Sequence, residues 1–265
     1  MTIFKKEKEV KICPEKMENK INYKIILLLV LGNAGLYFII NSLDENLANG
    51  IVSEVLIIFP LITCVSSFVM ASLNKMSKTF GRSFFILGIG YLLIFIGETI
   101  YTLEDLVLDT SPYPSIADAF FISAYPCQIA YVIIHIKYFQ PRVRKFAIIG
   151  MSLVSLLLTL TYFFISPDTL SNPSFELFYG SLFVMFSAVT LSITAYGASL
   201  FKGGFLATSW FVLLVGLIIN TGADVWYYHL EALNQYDPKS PVNAMWFVGY
   251  WVVTYSLYKT KIDQK

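Results

Sequence analysis

Two acids stand inside oily sequence: Glu98 in "LLIFIGETIY" and Asp224 in "LIINTGADVW". A carboxylate there is either solvated at a membrane boundary or held for a task, because a charged group at mid-membrane costs about 2.5 to 3.5 kcal/mol on the insertion scale. At helical spacing each acid shares a face with other polar and aromatic groups. Glu98 aligns with Tyr101 or Thr102 and with Asp105, and Asp224 aligns with Asn220, Tyr227 and Glu231. Two further stripes have the same character: Asp118, Phe121, Tyr125 and Gln128, then Asn243, Trp246, Tyr250 and Thr254. Carboxylates among aromatic faces are the chemistry of cation recognition, in which charge pairing and cation–π contact add.

Reaction chemistry finds less support. Glu98 and Asp224 together could form an aspartyl-type dyad, yet their spacing and types fit no intramembrane protease motif. His135 and His229 fall near opposite membrane faces, so a zinc site with two or three His ligands is not expected. No phosphate-binding loop, nucleophile elbow or HExxH is present. Cys13, Cys64 and Cys127 are widely spaced, which supports neither a disulfide framework nor a CxxC metal site. The expectation is a binding protein rather than an enzyme, with no cofactor, no metal and no nucleic-acid partner.

The elements that position these residues are membrane helices. Of 265 residues 56% are hydrophobic and 14% charged, against about 25% charged in a soluble domain. Eight stretches approach the roughly 20 apolar residues that a span requires. They are Tyr23 to Ile40, Ile51 to Leu73, Ser83 to Tyr101, Ala117 to Phe139, Phe146 to Ile165, Phe175 to Phe201, Phe205 to Tyr228 and Val242 to Tyr258. Alternate connections carry the cations. One set holds the Lys-rich arm 1–22, then Lys75, Lys78 and Arg82, then Lys137, Arg142, Arg144 and Lys145, then Lys202, then Lys259, Lys261 and Lys265. The other set is acidic, with Lys239 as its one cation. The positive-inside rule then places both termini in the cytoplasm of an eight-span, all-α cell-membrane protein. Counting from Arg82 at 1.5 Å per residue puts Glu98 roughly 24 Å along its helix, in the outer third of the hydrocarbon.

Shifting the chain by 125 positions lays the third and fourth spans on the seventh and eighth. Gly97 meets Gly222, Tyr101 meets Trp226, Ser115 meets Ser240, Asp118 meets Asn243, Phe121 meets Trp246 and Tyr125 meets Tyr250. The acids are one position out of register, Glu98 falling on Ala223. The pattern predicts a parallel 4+4 repeat: arm 1–22, first four-helix unit 23–139, second unit 140–258 and tail 259–265. Ser115 and Ser240 are expected helix caps, Ser115 and Asp118 in capping-box spacing. Asp118 can also serve a site with its second oxygen. Pro60 and Pro126 are expected to kink the second and fourth spans.

The segment "GETIYTLEDLVLDTSPYPSIADAFFISAYP", Gly97 to Pro126, resembles a pattern in the multi-span N-terminal membrane regions of bacterial diguanylate cyclases and related signalling proteins. Gly97, Glu98, Tyr101, Glu104, Pro112, Pro114, Ser115, Ala117, Asp118, Phe121, Tyr125 and Pro126 carry the resemblance; that family usually has Asp at the place of Glu98 and Trp at that of Tyr101. The resemblance implies a sensory input module. Because the sequence ends seven residues after its last span, any output is expected from a separate cytoplasmic or membrane partner.

These readings converge on an outward-facing cavity between the third, fourth, seventh and eighth spans. Its expected ligand is a small polar or cationic molecule. Glu98, Asp118, Asp224 and Asn243 are expected to orient it, Tyr101, Tyr125, Trp226, Trp246 and Tyr250 to wall it, and Asn220 and His229 to complete the ligand-binding set. The competing expectations are a small-solute or ion-coupled transporter, which needs polar groups continuing toward the cytoplasm, and an accessory subunit of a membrane complex.

Overall fold

The computed structural model describes residues 21–74, 78–108, 115–166, 175–202, 206–233 and 235–263. Most of the basic arm, and the loop containing Pro112 and Pro114, lie outside them. The described residues form eight helices: α1 (Tyr23–Ser42), α2 (Glu45–Leu73), α3 (Lys78–Leu106), α4 (Ile116–Phe139), α5 (Lys145–Ile165), α6 (Phe175–Leu200), α7 (Ala207–Ala232) and α8 (Pro241–Asp263). No strand occurs among the described residues.

Seven of the eight helices are long and apolar enough to cross a bilayer. The exception, where eight such stretches were expected, is α8. It carries Asn243, Thr254, Lys259, Thr260 and Lys261 among Trp and Tyr, a composition of low hydropathy. Position explains that composition: α8 packs on α7, α2 and α1, with Val242, Phe247, Val253 and Leu257 fully buried. A helix enclosed by other helices needs little lipid-compatible surface. In contrast, α5 packs on α6 and lightly on α7, and exposes Phe146, Leu153, Leu157 and Phe164.

Local signals set where the helices begin. The Asn22 side chain accepts from the Lys24 amide at 3.1 Å, and that of Asp44 accepts from Leu47 at 3.0 Å, each supplying an acceptor to an orphan helical N–H. At α4 the capping box closes in both directions, Ala117 N–H donating to Ser115 Oγ at 3.0 Å and Ser115 N–H to Asp118 Oδ2 at 2.6 Å. Both α2 and α4 continue past their prolines, Pro60 and Pro126. At 29 residues each, α2 and α3 extend about 43 Å, enough to cross the headgroup layers as well as the hydrocarbon.

Six helices close a ring. Around it α2 packs on α3, α3 on α4, α4 on α6, α6 on α7, α7 on α8, and α8 returns to α2. Outside the ring, α1 lies on α8 and α2, and α5 on α6. At one end of the bundle Lys239 Nζ donates to the Leu43 carbonyl at 2.6 Å, and Asn49 Nδ2 to Asp105 Oδ2 at 2.8 Å. At the other end the Asn22 amide donates to Tyr255 Oη at 3.0 Å. The start of α1 and the last turns of α8 therefore share an end of the bundle.

Candidate functional site

Across the ring, α3 and α4 make no close backbone approach to α7 or α8 among the described residues. Side chains span that gap and leave a cavity of about 130 Å³. An engineered apolar cavity of about 150 Å³ holds benzene, so the space suits a molecule of similar size. Tyr91, Glu98 and Tyr101 line it from α3, Phe121, Tyr125 and Gln128 from α4, Asn220, Thr221, Asp224 and Tyr227 from α7, and Trp246 and Tyr250 from α8. Leu56 of α2 and Phe183, Ser187 and Thr190 of α6 complete the wall. No Lys, Arg or His is among the described lining residues, so the charge-bearing groups among them are carboxyls.

Depth orders the polar groups. Glu98 precedes the end of α3 by eight residues and Asp224 precedes the end of α7 by eight, about 12 Å in each case. Tyr125 and Tyr250 each follow the start of their helix by nine residues. Asn220 and Gln128 lie twelve residues from the same helix ends, at about 18 Å. The cavity therefore has an acid and phenol layer, then an amide layer about one helical turn deeper.

The two acids are bonded differently. Asp224 accepts from Trp246 Nε1 at 3.0 Å on Oδ1 and from the Tyr125 hydroxyl at 3.3 Å on Oδ2. Ser187 stands beside the same carboxyl and donates to Thr221 Oγ1 at 2.9 Å. Three elements thus converge on Asp224. Glu98 has no hydrogen bond to any described residue, although Tyr250 lies within electrostatic range of it and of Asp224. Gln128 likewise makes no hydrogen bond to a described group. Asn220 Oδ1 is buried without a partner and lies against Gly249, where a Cβ would overlap it. Asn220 also lines the cavity.

Aromatic groups form the ends of the space. Above the acid layer, Tyr101 Oη and Tyr227 Oη are 3.5 Å apart across the α3–α7 gap. The Tyr227 ring packs against Tyr236 and Trp246 at 4.9 and 5.0 Å. Tyr236 belongs to the α7–α8 connection, and its burial there pushes the phenol above its ordinary pKa. On its deeper side the space is bounded by Tyr91, which meets Tyr250 edge-on at 6.3 Å. Further down, Phe84, Tyr131, Trp210, Leu213, Val253 and Leu257 belong to one buried cluster. His135, 2% exposed, is set edge-on within it to Phe80, Phe84, Tyr131 and Trp210 at 4.5 to 5.9 Å. It is a core residue.

The structure gathers Glu98, Tyr101, Tyr125, Asn220, Asp224, Trp246 and Tyr250 around one space. It places four other candidates elsewhere. Asp118 is committed to the α4 cap and is also hydrogen-bonded by Tyr179. Asn243 accepts from the Tyr236 hydroxyl at 3.0 Å and donates to the Pro238 carbonyl at 2.9 Å, fastening the α7–α8 connection. Trp226 is turned outward, 39% exposed, and His229 lies off the cavity with Nδ1 buried and unpartnered. Ser240 Oγ accepts from the Val242 amide at 3.4 Å, a long contact at the start of α8. The wall from α6 was not foreseen. Its signal was the Phe183, Ser187, Thr190, Thr194 spacing, which forms one stripe on that helix.

No protein-family model matches the chain, and neither does any curated protein or solved structure.

Proposed function

We propose that this chain is a multi-pass membrane module of the sensor type, which binds a small polar or cationic ligand in the cavity between α3, α4, α6, α7 and α8. The observation that carries the reading is Glu98. Acids inside membrane segments mark functional pathways, and Glu98 is a half-buried acid that lines the cavity from within α3. A carboxyl held against a cavity with no hydrogen bond to a described residue is arranged to meet something else. Asp224, at equal depth, has its partners already and serves as wall.

In this reading α8 also crosses the cell membrane, both termini are cytoplasmic and the cavity lies toward the outer face. Charge sidedness supports the orientation. A parallel 4+4 repeat is supported by the ring itself: the packings α2–α3, α3–α4 and α4–α6 recur four helices later as α6–α7, α7–α8 and α8–α2. The matched depths of Glu98 with Asp224 and of Tyr125 with Tyr250 follow the same rule. The aromatic cluster around His135 closes the path below Gln128, which favours binding over transport. Occupancy would be read by a separate cytoplasmic or membrane signalling partner.

Thermal unfolding of the purified chain against a panel of small polar and cationic solutes tests the binding. At least one solute should raise the midpoint of the native protein, and Glu98→Gln should lose that response. A flat panel, with Glu98→Gln indistinguishable throughout, would sink the reading. Orientation is checked with an impermeant maleimide in a background lacking the native cysteines: a cysteine at Leu43 should react in intact cells, and one at Arg142 only after permeabilisation.

A further inference from the structure

The cavity's chemistry narrows its ligand further, an inference that rests on the binding reading above. The wall offers one carboxyl, Glu98, that accepts from no described residue, and a second, Asp224, whose oxygens already accept from Trp246 and Tyr125. One free carboxyl is too little for Ca²⁺, which takes six to eight oxygen ligands. The surrounding surface is instead aromatic: Tyr91, Tyr101, Phe121, Tyr250 and Trp246 line the same space. A methylated ammonium matches that surface, because it presents apolar methyl groups that carry positive charge to ring faces and has few or no N–H donors to leave unsatisfied. About one turn deeper the amides of Asn220 and Gln128 make no hydrogen bond to a described residue and can meet a neutral oxygen. Phosphate and carboxylate are disfavoured, since no cation lines the cavity and the two acids would repel them.

We propose that the ligand is a monocationic methylated amino alcohol of the choline type, its ammonium against Glu98 and the aromatic walls and its hydroxyl on Asn220 and Gln128. The source is a free solute rather than a lipid headgroup, because the headgroup brings its phosphate with it. Seven heavy atoms fit a cavity of about 130 Å³.

The test uses the full chain in a non-ionic detergent, with binding read from tryptophan fluorescence, since Trp246 lines the cavity, and from the unfolding midpoint. The probes are choline, tetramethylammonium, glycerophosphocholine and 3,3-dimethylbutan-1-ol, the uncharged isostere of choline. Choline should bind saturably and the isostere roughly tenfold or more weakly. Tetramethylammonium should bind several-fold more weakly than choline, and Gln128→Leu should reduce that difference. Glycerophosphocholine should not compete. Glu98→Gln should bring choline down to the level of the isostere while the isostere's own binding persists, which separates lost charge recognition from a lost cavity. Equal binding of choline and the isostere overturns the cationic class while leaving the cavity reading intact. Competition by glycerophosphocholine overturns the free-solute assignment. Absence of choline binding where the wider solute panel yields another ligand overturns the amino-alcohol inference alone; absence of any ligand in either set overturns both.

Discussion

Trp246 donates its indole N–H to Asp224 Oδ1 at 3.0 Å, tying α8 to α7 beside the cavity. Tyr125 reaches Oδ2 of the same carboxyl at 3.3 Å from α4. Asp224 is therefore a junction of three helices, whereas Glu98, at the same distance from its own helix end, bonds to no described residue.

Unequal bonding predicts unequal cost. Asp224→Ala strands the Trp246 and Tyr125 donors, each at roughly 1 to 3 kcal/mol, and should lower the unfolding midpoint markedly. Glu98→Gln removes no hydrogen bond to a described residue and exchanges an acid for a neutral group of similar size. Its unliganded stability should stay within about 0.5 kcal/mol of the native chain or rise, as for substitutions away from structural features. Thermal unfolding of the two variants side by side checks this, and equal destabilisation would mean that Glu98 also has a structural role.

Asn220 and Gly249 form a second junction. A Cβ at 249 would overlap Asn220 Oδ1, so α8 can pass the amide only because residue 249 has no side chain. Gly249→Ala should destabilise by about 1 to 3 kcal/mol, the usual cost of overpacking. Adding Asn220→Ala should recover most of that loss. The four-variant cycle should therefore show coupling between the sites; additive losses would show that the strain lies elsewhere.

Most of the cavity face could be read from spacing because a helix repeats its faces every three to four residues. Glu98 brings Tyr101 with it, and Asp224 brings Tyr227 with it. The Trp226 expectation followed the 125-residue shift instead, and the acids are one residue out of that register. One residue is about 100° of helix rotation, which turns Trp226 outward and gives its expected place to Tyr227. The stripe on α6 carries less weight in the sequence for a different reason. Serine and threonine satisfy themselves on the preceding turn, as Thr190 does on Phe186, so they carry no depth signal in a membrane helix. Asp118 and Asn243 show that a polar residue near a helix start can be fully occupied by local bonding, which spacing alone does not distinguish from an open site.

The glycines at matched positions of α3 and α7 should differ in tolerance. A Cβ at Gly97 would come within 2.7 Å of Phe121 Cε1, and one at Gly222 no nearer than 3.2 Å to Met245 Cε. Phe121 is a rigid ring in the cavity wall, whereas a methionine terminus moves aside at little cost. Gly97→Ala should therefore lose about 1 to 3 kcal/mol, partly restored by Phe121→Leu. Gly222→Ala should be neutral or gain up to about 1 kcal/mol from helix propensity. Unfolding midpoints for the three variants decide it, and a tolerant Gly97 would mean that α3 and α4 can separate freely there.

The capping box at the start of α4 separates structure from recognition at Asp118. Ser115→Ala removes the acceptor used by the Ala117 amide at 3.0 Å, at an expected cost of about 0.5 to 2 kcal/mol. Asp118→Ala removes the acceptor for the Ser115 amide at 2.6 Å and should cost a similar amount. Asp118→Asn keeps a side-chain oxygen for that amide and should recover much of the loss. Because Asp118 does not line the cavity, choline affinity at a temperature well below the midpoint should be the same in all three variants and the native chain. Stability and affinity thus move independently if the carboxyl is a cap. An affinity loss in Asp118→Asn as large as that in Glu98→Gln would place the Asp118 carboxylate on the ligand's path.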